Sequence, residues 1–438
     1  MTATAPRVGE GSPRLGRWQA ITVGYLVLGY SGYYFCRSNL SVSIPYIIDE
    51  LKARGMDEAA AKSSLGLIVS IGTLAYAGGK FAGGMLADAF GGRRNFLVGM
   101  AGAVAFTALF ASGGSLGLFG AAWFGNRLVQ SMGWPGMVKV AGRWFTPARY
   151  GTVMGIVSLS YLFGEAASKA IMGRLFDLGL GWRSVFLVAA GTLGAIFLAG
   201  LWLLKESPAS IGERIATDDG HADPAPSPTE ADDRPPALRL LASPTFCLVC
   251  LLSLALTLVR ETFNTWTPEY YVAVGLTKSR AAWLSSLFPL AGGVSVLLAG
   301  FLADSLGRGG RMVVMGVGLA MAGATMAGLA WGRAGGSTLV PIGLVTATGF
   351  FLIGPYSYLA GAVALDYGGR TGGASASGLI DGVGYLGGVF AGVGMARVSI
   401  RLGWGGAFGM LAVVAWGSSL LAAVILLAER RWPRGAPR

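Results

Sequence analysis

Twelve apolar stretches, each long enough to cross a membrane as a helix and separated by short polar breaks, make up most of this sequence. About 20 apolar residues in a helix span the hydrocarbon core of a bilayer, and a helix satisfies all its backbone hydrogen bonds there. The sequence therefore predicts an all-α polytopic membrane protein with twelve transmembrane helices. The predicted spans are 18–42, 64–87, 95–113, 117–141, 151–174, 184–205, 243–268, 281–303, 312–332, 338–363, 373–397 and 406–428.

Composition agrees with this class. Hydrophobic residues make up 53% of the 438 positions and charged residues 13%, against about 25% charged in soluble proteins. The 71 glycines lie within apolar runs without a three-residue period, which excludes collagen. Small residues in such runs allow transmembrane helices to pack closely.

The distribution of basic residues predicts the orientation. The formal charge is +12, but the basic residues are scattered between apolar segments and form no single patch, so we expect no nucleic-acid partner. Those outside the spans are more frequent on the side of the termini. By the positive-inside rule both termini face the cytoplasm, in a membrane of the bacterial inner (plasma) membrane type.

The chain divides into two halves of six spans. We predict a cytoplasmic tail over 1–17, a first bundle over 18–205 and a second bundle over 243–428. The segment 206–242 contains PAPSPTEADDRPP, has too little apolar surface to fold alone, and is predicted to be a cytoplasmic linker. A basic cytoplasmic tail follows over 429–438.

An internal repeat supports this division. The segment GMLADAFGGRR, with Gly84, Asp88 and Arg93, follows the second span, and GFLADSLGRGGR, with Gly300, Asp304 and Arg308, follows the eighth. The glycines permit a tight turn between helices, and the aspartates can pair with basic groups at neighbouring helix ends. Both segments resemble the signature loop of the major facilitator superfamily, which has this conformational role.

Charged residues inside the spans need an explanation, because each costs about 2.5 to 3.5 kcal/mol at the centre of a transmembrane helix. The basic ones are Arg37, Lys80, Arg127, Lys139, Lys169 and Arg260, and the acidic ones are Glu165, Glu261 and Asp381. For Lys139, near the cytoplasmic end of its span, a basic helix terminus is the favoured interpretation.

Arg37 and Arg260 lie in the first and seventh spans, which are equivalent in the two halves. Phenol groups precede Arg37 at helical spacing (Tyr30, Tyr33 and Tyr34), Tyr76 precedes Lys80 by one turn, and Asn264 follows Arg260. Guanidinium forks with an ammonium and hydroxyl donors suit an anion with several oxygens, such as phosphate. The alternative is that Arg260 pairs with Glu261 and Arg37 extends to an interface.

Residues that would support catalysis are scarce. His221, the single histidine, falls in the polar linker, and the three cysteines lie in apolar runs. Without a nucleophile and base, a metal cluster or a nucleotide loop, we expect no enzyme, no cofactor and no metal.

Several motifs resemble the organophosphate:phosphate antiporters, a group that includes bacterial glycerol-3-phosphate and hexose-phosphate transporters. They are YYFCRSN at Tyr33, IPY at Ile44, AYAGGKF at Ala75, QSMGWP at Gln130 and GYLGG at Gly384. The resemblance implies the major facilitator fold, with two pseudo-symmetric bundles that alternate access. It also implies that Arg37 and Arg260 bind the phosphate group and that Lys80 assists them.

The sequence departs from this group in the fifth span. The histidine of the glycerol-3-phosphate transporters is absent, Tyr161 takes its place, and Glu165 follows one turn later. Asp381 lies where hexose-phosphate members also carry an acid. We therefore expect a larger, hydroxyl-rich or zwitterionic phosphate compound. The alternatives are an intrahelical pair of Glu165 with Lys169, and a structural bond from Asp381 to a neighbouring helix.

The sequence thus predicts a monomeric secondary transporter that exchanges an organophosphate for inorganic phosphate across the bilayer. A second hypothesis is a proton-coupled symporter of an organic anion or sugar that titrates Glu165 or Asp381. A third is a transporter-like sensor of a phosphoester.

Overall fold

The computed structural model describes residues 12–213, 240–307, 309–332 and 337–431. Most of the predicted linker, the ends of both predicted tails and Arg308 lie outside these residues. Within them the chain is helical and contains no strand, as predicted.

The described residues include thirteen complete α-helices. They are α1 (Pro13–Ala53), α2 (Glu58–Phe90), α3 (Gly92–Ser112), α4 (Leu116–Gln130), α5 (Gly133–Trp144), α6 (Pro147–Asp177), α7 (Trp182–Leu203), α8 (Pro244–Ala273), α9 (Lys278–Leu284), α10 (Leu287–Ser305), α11 (Gly310–Trp331), α12 (Leu339–Ser357) and α13 (Ala364–Arg431). A short 3-10 helix, Pro208–Ile211, follows α7, and a π-helical turn, Leu359–Val363, joins α12 to α13.

Three regions differ in detail from the predicted spans. The fourth span is two helices, α4 and α5, and the eighth is also two, α9 and α10. The last two spans are assigned to one helical stretch, α13, of 68 residues. A straight helix of that length would measure about 100 Å, several times the thickness of a bilayer. Gly403 has a φ of 68°, outside the helical range, and divides α13 into a first arm and a second arm at the predicted position.

Eight helical stretches of the described residues are long and apolar enough to cross a membrane. The predicted spans that do not meet this criterion are the first, fourth and fifth, which carry Arg37, Arg127 and Glu165. Their hydropathy is low because they contribute polar groups to the interior of the bundle. The lower hydropathy of a span therefore marks a helix that lines the interior.

The two halves meet mainly on the side opposite the start of α1 and the end of α13. Helix α2 packs against α13, α1 against α8, and α6 against α9 and α10. The hydroxyl of Ser70 donates to the carbonyl of Val389 at 2.6 Å and accepts from the amide of Val393 at 2.9 Å. Further towards the loops, Lys62 pairs with Glu269 at 3.6 Å. Polar contacts that join the halves thus accumulate on this closed side.

The duplicated turns lie on the side where α1 begins and α13 ends. Gly91, with a φ of 90°, ends α2, and Glu206 accepts hydrogen bonds from the amides of Gly92 and Arg93 at 2.9 and 2.7 Å. Asp88 pairs with Lys139 at 2.8 Å, so this aspartate does meet a basic group near a neighbouring helix end. The side chain of Arg93 instead donates to carbonyls at the end of α7.

The second turn is built differently. Gly307 and Gly309 have positive φ angles of 65° and 85°, and Arg311 pairs with Asp366 at 2.7 Å. Asp304 is exposed and its side chain makes no hydrogen bond or ion pair with another described residue, although its carbonyl accepts from the Gly307 amide at 3.2 Å. Gly84 and Gly300 lie inside α2 and α10, four residues before each aspartate.

Candidate functional site

A cavity of about 430 Å³ lies between the two halves. It is lined from both sides, and nine of the ten predicted site residues contribute to its wall. These are Tyr34, Arg37, Tyr76, Lys80, Tyr161, Glu165, Arg260, Asn264 and Asp381. Residues that are far apart in the sequence are therefore brought to one polar chamber inside an apolar bundle.

Tyr33 is the exception, and its predicted place in the site is not what the structure shows. Its ring is fully buried against Phe96 of α3, and its hydroxyl donates to the Phe96 carbonyl at 2.6 Å. Adjacent helix positions point about 100° apart, and here that rotation directs Tyr33 towards α3. Tyr34 faces the cavity, and Tyr33 fastens α1 to α3.

Neutral groups hold Arg37. Its Nε donates to Oε1 of Gln130 at 3.0 Å and its Nη1 to the Tyr34 hydroxyl at 3.2 Å. Gln130 is itself fixed, because its amide donates to the Cys36 carbonyl and to Asn126. Nη2 of Arg37 is buried and has no hydrogen-bond partner among the described residues. The guanidinium is thus positioned while one of its nitrogens stays unpaired.

The ring of Tyr76 lies among three cations. The guanidinium carbons of Arg37 and Arg127 lie 4.5 and 4.7 Å from its centroid, and the ammonium of Lys80 lies 5.6 Å from it. Such contacts with an aromatic face partly offset the cost of placing cations close together away from water. The first half therefore contributes a cluster of positive charge to the cavity.

Arg260 is held by a carboxylate. Its Nη2 donates to Oε1 of Glu261 at 2.6 Å, and its guanidinium carbon lies 4.4 Å from the ring of Tyr356. The pairing with Glu261, one of the two interpretations open from the sequence, is therefore present. Nε of Arg260 is buried without a hydrogen-bond partner in the described part of the chain.

Lys80 and Asp381 bridge the cavity. Nζ of Lys80 on α2 and Oδ2 of Asp381 on α13 are 2.5 Å apart, so this ion pair joins the two halves. Tyr385, one turn after Asp381, has its ring 4.8 Å from the same ammonium and 5.2 Å from the ring of Tyr76. Asp381 thus makes a bond to another helix, as the alternative interpretation proposed.

Glu165 pairs with Lys169 one turn away at 2.9 Å, which was the alternative for this residue. Lys169 is fully buried and also donates to the backbone carbonyl of Asn264 in the other half at 3.2 Å. Ser41 donates to that carbonyl at 2.7 Å. Pro268, four residues after Asn264, lacks the amide that would otherwise occupy it. A proline-freed carbonyl is thus a contact point between the halves.

Several cavity residues were not among the predicted site residues. They are Tyr30, Arg127, Tyr356 and Tyr385, together with Glu261, while Gln130 supports Arg37 from behind the wall. Arg127 and Glu261 had a signal, since each is a charge inside a predicted span. Tyr385 also had a signal, because it lies in the GYLGG motif, whereas Tyr356 had none, because an aromatic residue in an apolar span is common whether or not it lines a cavity.

The charges in the cavity are unequally matched. Its carboxylates Glu165, Glu261 and Asp381 each make an ion pair, with Lys169, Arg260 and Lys80 respectively. In the described part of the chain neither Arg37 nor Arg127 makes an ion pair with a carboxylate. No group of side chains suited to a metal ion occurs among the described residues. The surplus of guanidinium groups suits an anion with several oxygens.

Comparison with known proteins gives the same class. Residues 26–392 match the family model of the Major Facilitator Superfamily. The chain is 27% identical over 427 residues to a "Probable hexose phosphate transport protein" of Chlamydia pneumoniae, covering 92% of this chain and 90% of that protein. It is 28% identical over 419 residues to the "Glycerol-3-phosphate transporter" of Bacillus subtilis (strain 168), with the same coverages.

A further relative has a different description. The "Membrane sensor protein UhpC" of Salmonella typhimurium is 25% identical over 429 residues, covering 96% of this chain and 94% of that protein. Among solved structures, a D-xylose-proton symporter aligns with a TM-score of 0.71 at 14% identity, covering 94% of this chain and 97% of that one. The latter match concerns the fold alone. The resemblance predicted from the motifs is confirmed by these relatives.

Proposed function

Because the chain belongs to the major facilitator superfamily, we propose that it is a secondary transporter that exchanges an organophosphate for inorganic phosphate by alternating access. The observation that carries the proposal is that Arg37 and Arg260, equivalent in the two halves, line one cavity between them. Each keeps a buried guanidinium nitrogen without a hydrogen-bond partner among the described residues. The names of the relatives support a phosphoester such as a sugar phosphate or glycerol phosphate as substrate.

Phosphate chemistry fits these groups. A guanidinium offers five donors in a rigid plane and binds two oxygens of a phosphate at once. Nη2 of Arg37 and Nε of Arg260, which have no hydrogen-bond partner among the described residues, can donate to these oxygens, and Arg127 and the Lys80 ammonium line the same cavity. We propose that the phosphate group binds between the two arginines, and that Tyr34 and Tyr76 complete its contacts.

The organic part of the substrate would meet Tyr161, Tyr356 and Asn264, which also line the cavity. Oδ1 of Asn264 is buried without a hydrogen-bond partner among the described residues and is available to a donor. Hydroxyl or ammonium groups supply such donors. We therefore propose a hydroxyl-rich or zwitterionic phosphoester, with Asp381 and Glu165 as acceptors when their lysine partners shift.

Alternating access follows from the division into halves. The bundles 18–205 and 243–428 rock about the cavity, with 206–242 as the linker, and the described state is closed on the side opposite the termini. With both termini in the cytoplasm of a bacterial-type cell, this state is inward-facing. The turns around Asp88 and Asp304 adjust as the halves move.

Exchange rather than leakage follows from electrostatics. Two cations about 10 Å apart repel by about 1.7 kcal/mol at an effective dielectric of 20, and closing the second side around them also removes their water. An anion between the halves offsets both costs. The loaded carrier therefore changes sides more readily than the empty one.

The test is counterflow in proteoliposomes. Purified protein is reconstituted with internal unlabelled phosphate, and uptake of labelled phosphate and of a panel of phosphoesters is measured with and without that internal phosphate. We expect uptake that needs a phosphate compound inside and continues when the pH gradient is collapsed. Uptake that follows the pH gradient and ignores internal phosphate would instead identify a proton-coupled symporter.

The relative described as a membrane sensor keeps a second function open for this site, namely binding of a phosphoester as a signal. The cavity would serve either purpose. Saturable phosphoester binding by the purified protein, with no counterflow under the same conditions, would favour the sensor and contradict exchange.

A further inference from the structure

Glu261 stands apart from the other two cavity carboxylates. Glu165 and Asp381 pair with lysines, whereas Glu261 pairs with Arg260, one of the two arginines assigned to phosphate. The side chains of Arg260 and Glu261 are 13% and 16% exposed, so the pair is largely desolvated. In this surrounding an ion pair competes strongly with any other partner of the same guanidinium.

The position of Glu261 extends its influence beyond Arg260. Its carboxylate acts electrostatically on Arg127 and Arg37 as well as on Arg260. A Cβ added to Gly388, on the first arm of α13, would lie 3.3 Å from the Glu261 side chain and 3.1 Å from that of Thr73 on α2. The side chains of Glu261 and Thr73 therefore both lie against Gly388. Glu261 therefore reaches from the second half towards the cationic cluster of the first half.

We propose that Glu261 is a built-in anion that occupies Arg260 when no substrate is bound and that an incoming phosphate group displaces. This inference rests on the proposed function, since it concerns the same site. A phosphate dianion carries more charge than one carboxylate and can engage donors of Arg37 and Arg260 together, so it wins the competition at sufficient concentration. When phosphate leaves, Glu261 returns and spares Arg260 from remaining unpaired in a desolvated site.

Such a competitor weakens binding and speeds release. Removing it should therefore tighten phosphate binding and slow exchange, the opposite of what removing a substrate ligand does. A residue that only positioned Arg260 would give weaker binding on removal. The direction of the change thus separates the two roles.

The experiment measures equilibrium binding of labelled inorganic phosphate to purified protein, then homologous phosphate exchange in proteoliposomes. Glu261→Gln and Glu261→Met both remove the charge at similar length, so one serves if the other does not fold. Glu261→Asp retains the charge. Glu58→Gln is the matched control, because Glu58 pairs with Lys52 at the exposed start of α2, outside the cavity.

We expect the phosphate Kd of both neutral variants to fall by about tenfold, with a slower maximal exchange rate, while Glu261→Asp and Glu58→Gln stay within about threefold of the unaltered protein. An unchanged or higher Kd in the neutral variants would overturn the inference and leave the proposed function intact. An unaltered protein that neither binds nor exchanges phosphate would overturn the proposed function itself, and this inference with it.

Discussion

The two arginines of the cavity occupy equivalent helices, yet the chain surrounds them differently. Arg37 is held by an amide, a phenol and an aromatic ring, all neutral. Arg260 is held by a carboxylate at 2.6 Å and an aromatic ring. The duplicated helix has thus kept its guanidinium in both halves while the partner of that guanidinium has diverged.

Because of this difference, the two halves contribute differently to the binding of an anion. The first half carries most of the positive charge of the cavity, in Arg37, Lys80 and Arg127. The second half contributes Glu261 and Asp381 besides Arg260. An anion that enters the cavity is therefore attracted mainly by the first half, and its binding to the second half requires an exchange of partners. A strictly symmetric site would attract more strongly and release more slowly.

Other features of the same helices have been conserved between the halves. Ser41 and Asn264 are 223 residues apart, as are Arg37 and Arg260. Pro45 follows Ser41 by four residues and Pro268 follows Asn264 by four residues, each inside its helix. Ser41 donates to the carbonyls of Asn264 and Thr265 at 2.7 and 2.9 Å. Ser41 and Asn264 are equivalent positions of the two halves, so their contact lies near the pseudo-twofold axis that relates the halves.

The largest effect is expected from the arginines themselves. Arg37→Lys and Arg260→Lys keep the charge but lose the planar fork, and we expect phosphate exchange to fall by about 100-fold or more with near-normal membrane insertion. The loss should be greater for Arg37, which has no carboxylate to hold its replacement near the same place. Exchange rates in proteoliposomes, normalised to reconstituted protein, measure this.

Retention of phosphate exchange in both lysine variants would contradict the assignment of the site. A larger loss in Arg260→Lys than in Arg37→Lys would reverse the division of work between the halves. Arg174→Lys serves as the matched control, because Arg174 lies at the exposed end of α6 and pairs with Asp177 outside the cavity.

A second prediction concerns a substitution that gives Arg37 and Arg260 the same kind of partner. Gln130→Glu places a carboxylate beside Nε of Arg37, which gives Arg37 the kind of partner that Arg260 already has. We expect the phosphate Kd to rise by about 10- to 100-fold, because the new charge neutralises the guanidinium that now attracts the anion. Labelled-phosphate binding measures the change.

Gln130→Leu provides the comparison for that variant, since it removes the same amide without adding charge. It should weaken binding less than Gln130→Glu, because Arg37 keeps its Tyr34 contact. Equal weakening in both variants would show that the orientation of Arg37 matters and that its charge balance does not.

A third prediction concerns the bridge between the halves. Asp381→Asn removes the counter-charge of Lys80 and replaces one carboxylate oxygen, an acceptor for hydroxyl or ammonium groups, by an amide nitrogen that only donates. We expect the ratio of exchange rates for different phosphoesters to change by about fivefold, with phosphate self-exchange altered less than twofold. Asp366→Asn, on the same helix but paired with Arg311 outside the cavity, is the control. Equal effects on all substrates would contradict a role in selectivity.

The fold was predictable from the sequence because each span is a local property of about 20 residues. The break at Ser131 had a signal, because Pro135 four residues later is expected to kink the fourth span, whereas the break at Ser285 was not predicted. Most of the cavity was also predictable, because a charge in a span has few other uses. The pairing was not: Lys80 and Asp381 are 301 residues apart, and only the packing of the halves brings them together. The prediction for Tyr33 was wrong because Tyr33 and Tyr34 differ by one position, or about 100° around the helix. That difference turns Tyr33 towards α3 and Tyr34 towards the cavity.

The smallest predicted effect tests the conserved contact at the axis. Ser41→Ala removes the hydroxyl that joins the halves at Asn264, and a hydrogen bond of this kind contributes about 1 kcal/mol, or roughly fivefold in a population ratio. We expect spin labels at the exposed Leu178 and Leu402, on the closed side, to show a larger population of long distances. Ser43→Ala is the matched control, because Ser43 is buried on the same helix and its hydroxyl has no hydrogen-bond partner among the described residues. Since Lys169 still bonds the Asn264 carbonyl in Ser41→Ala, the shift should be partial, and a distance distribution identical to that of Ser43→Ala would show that Lys169 alone secures the axis.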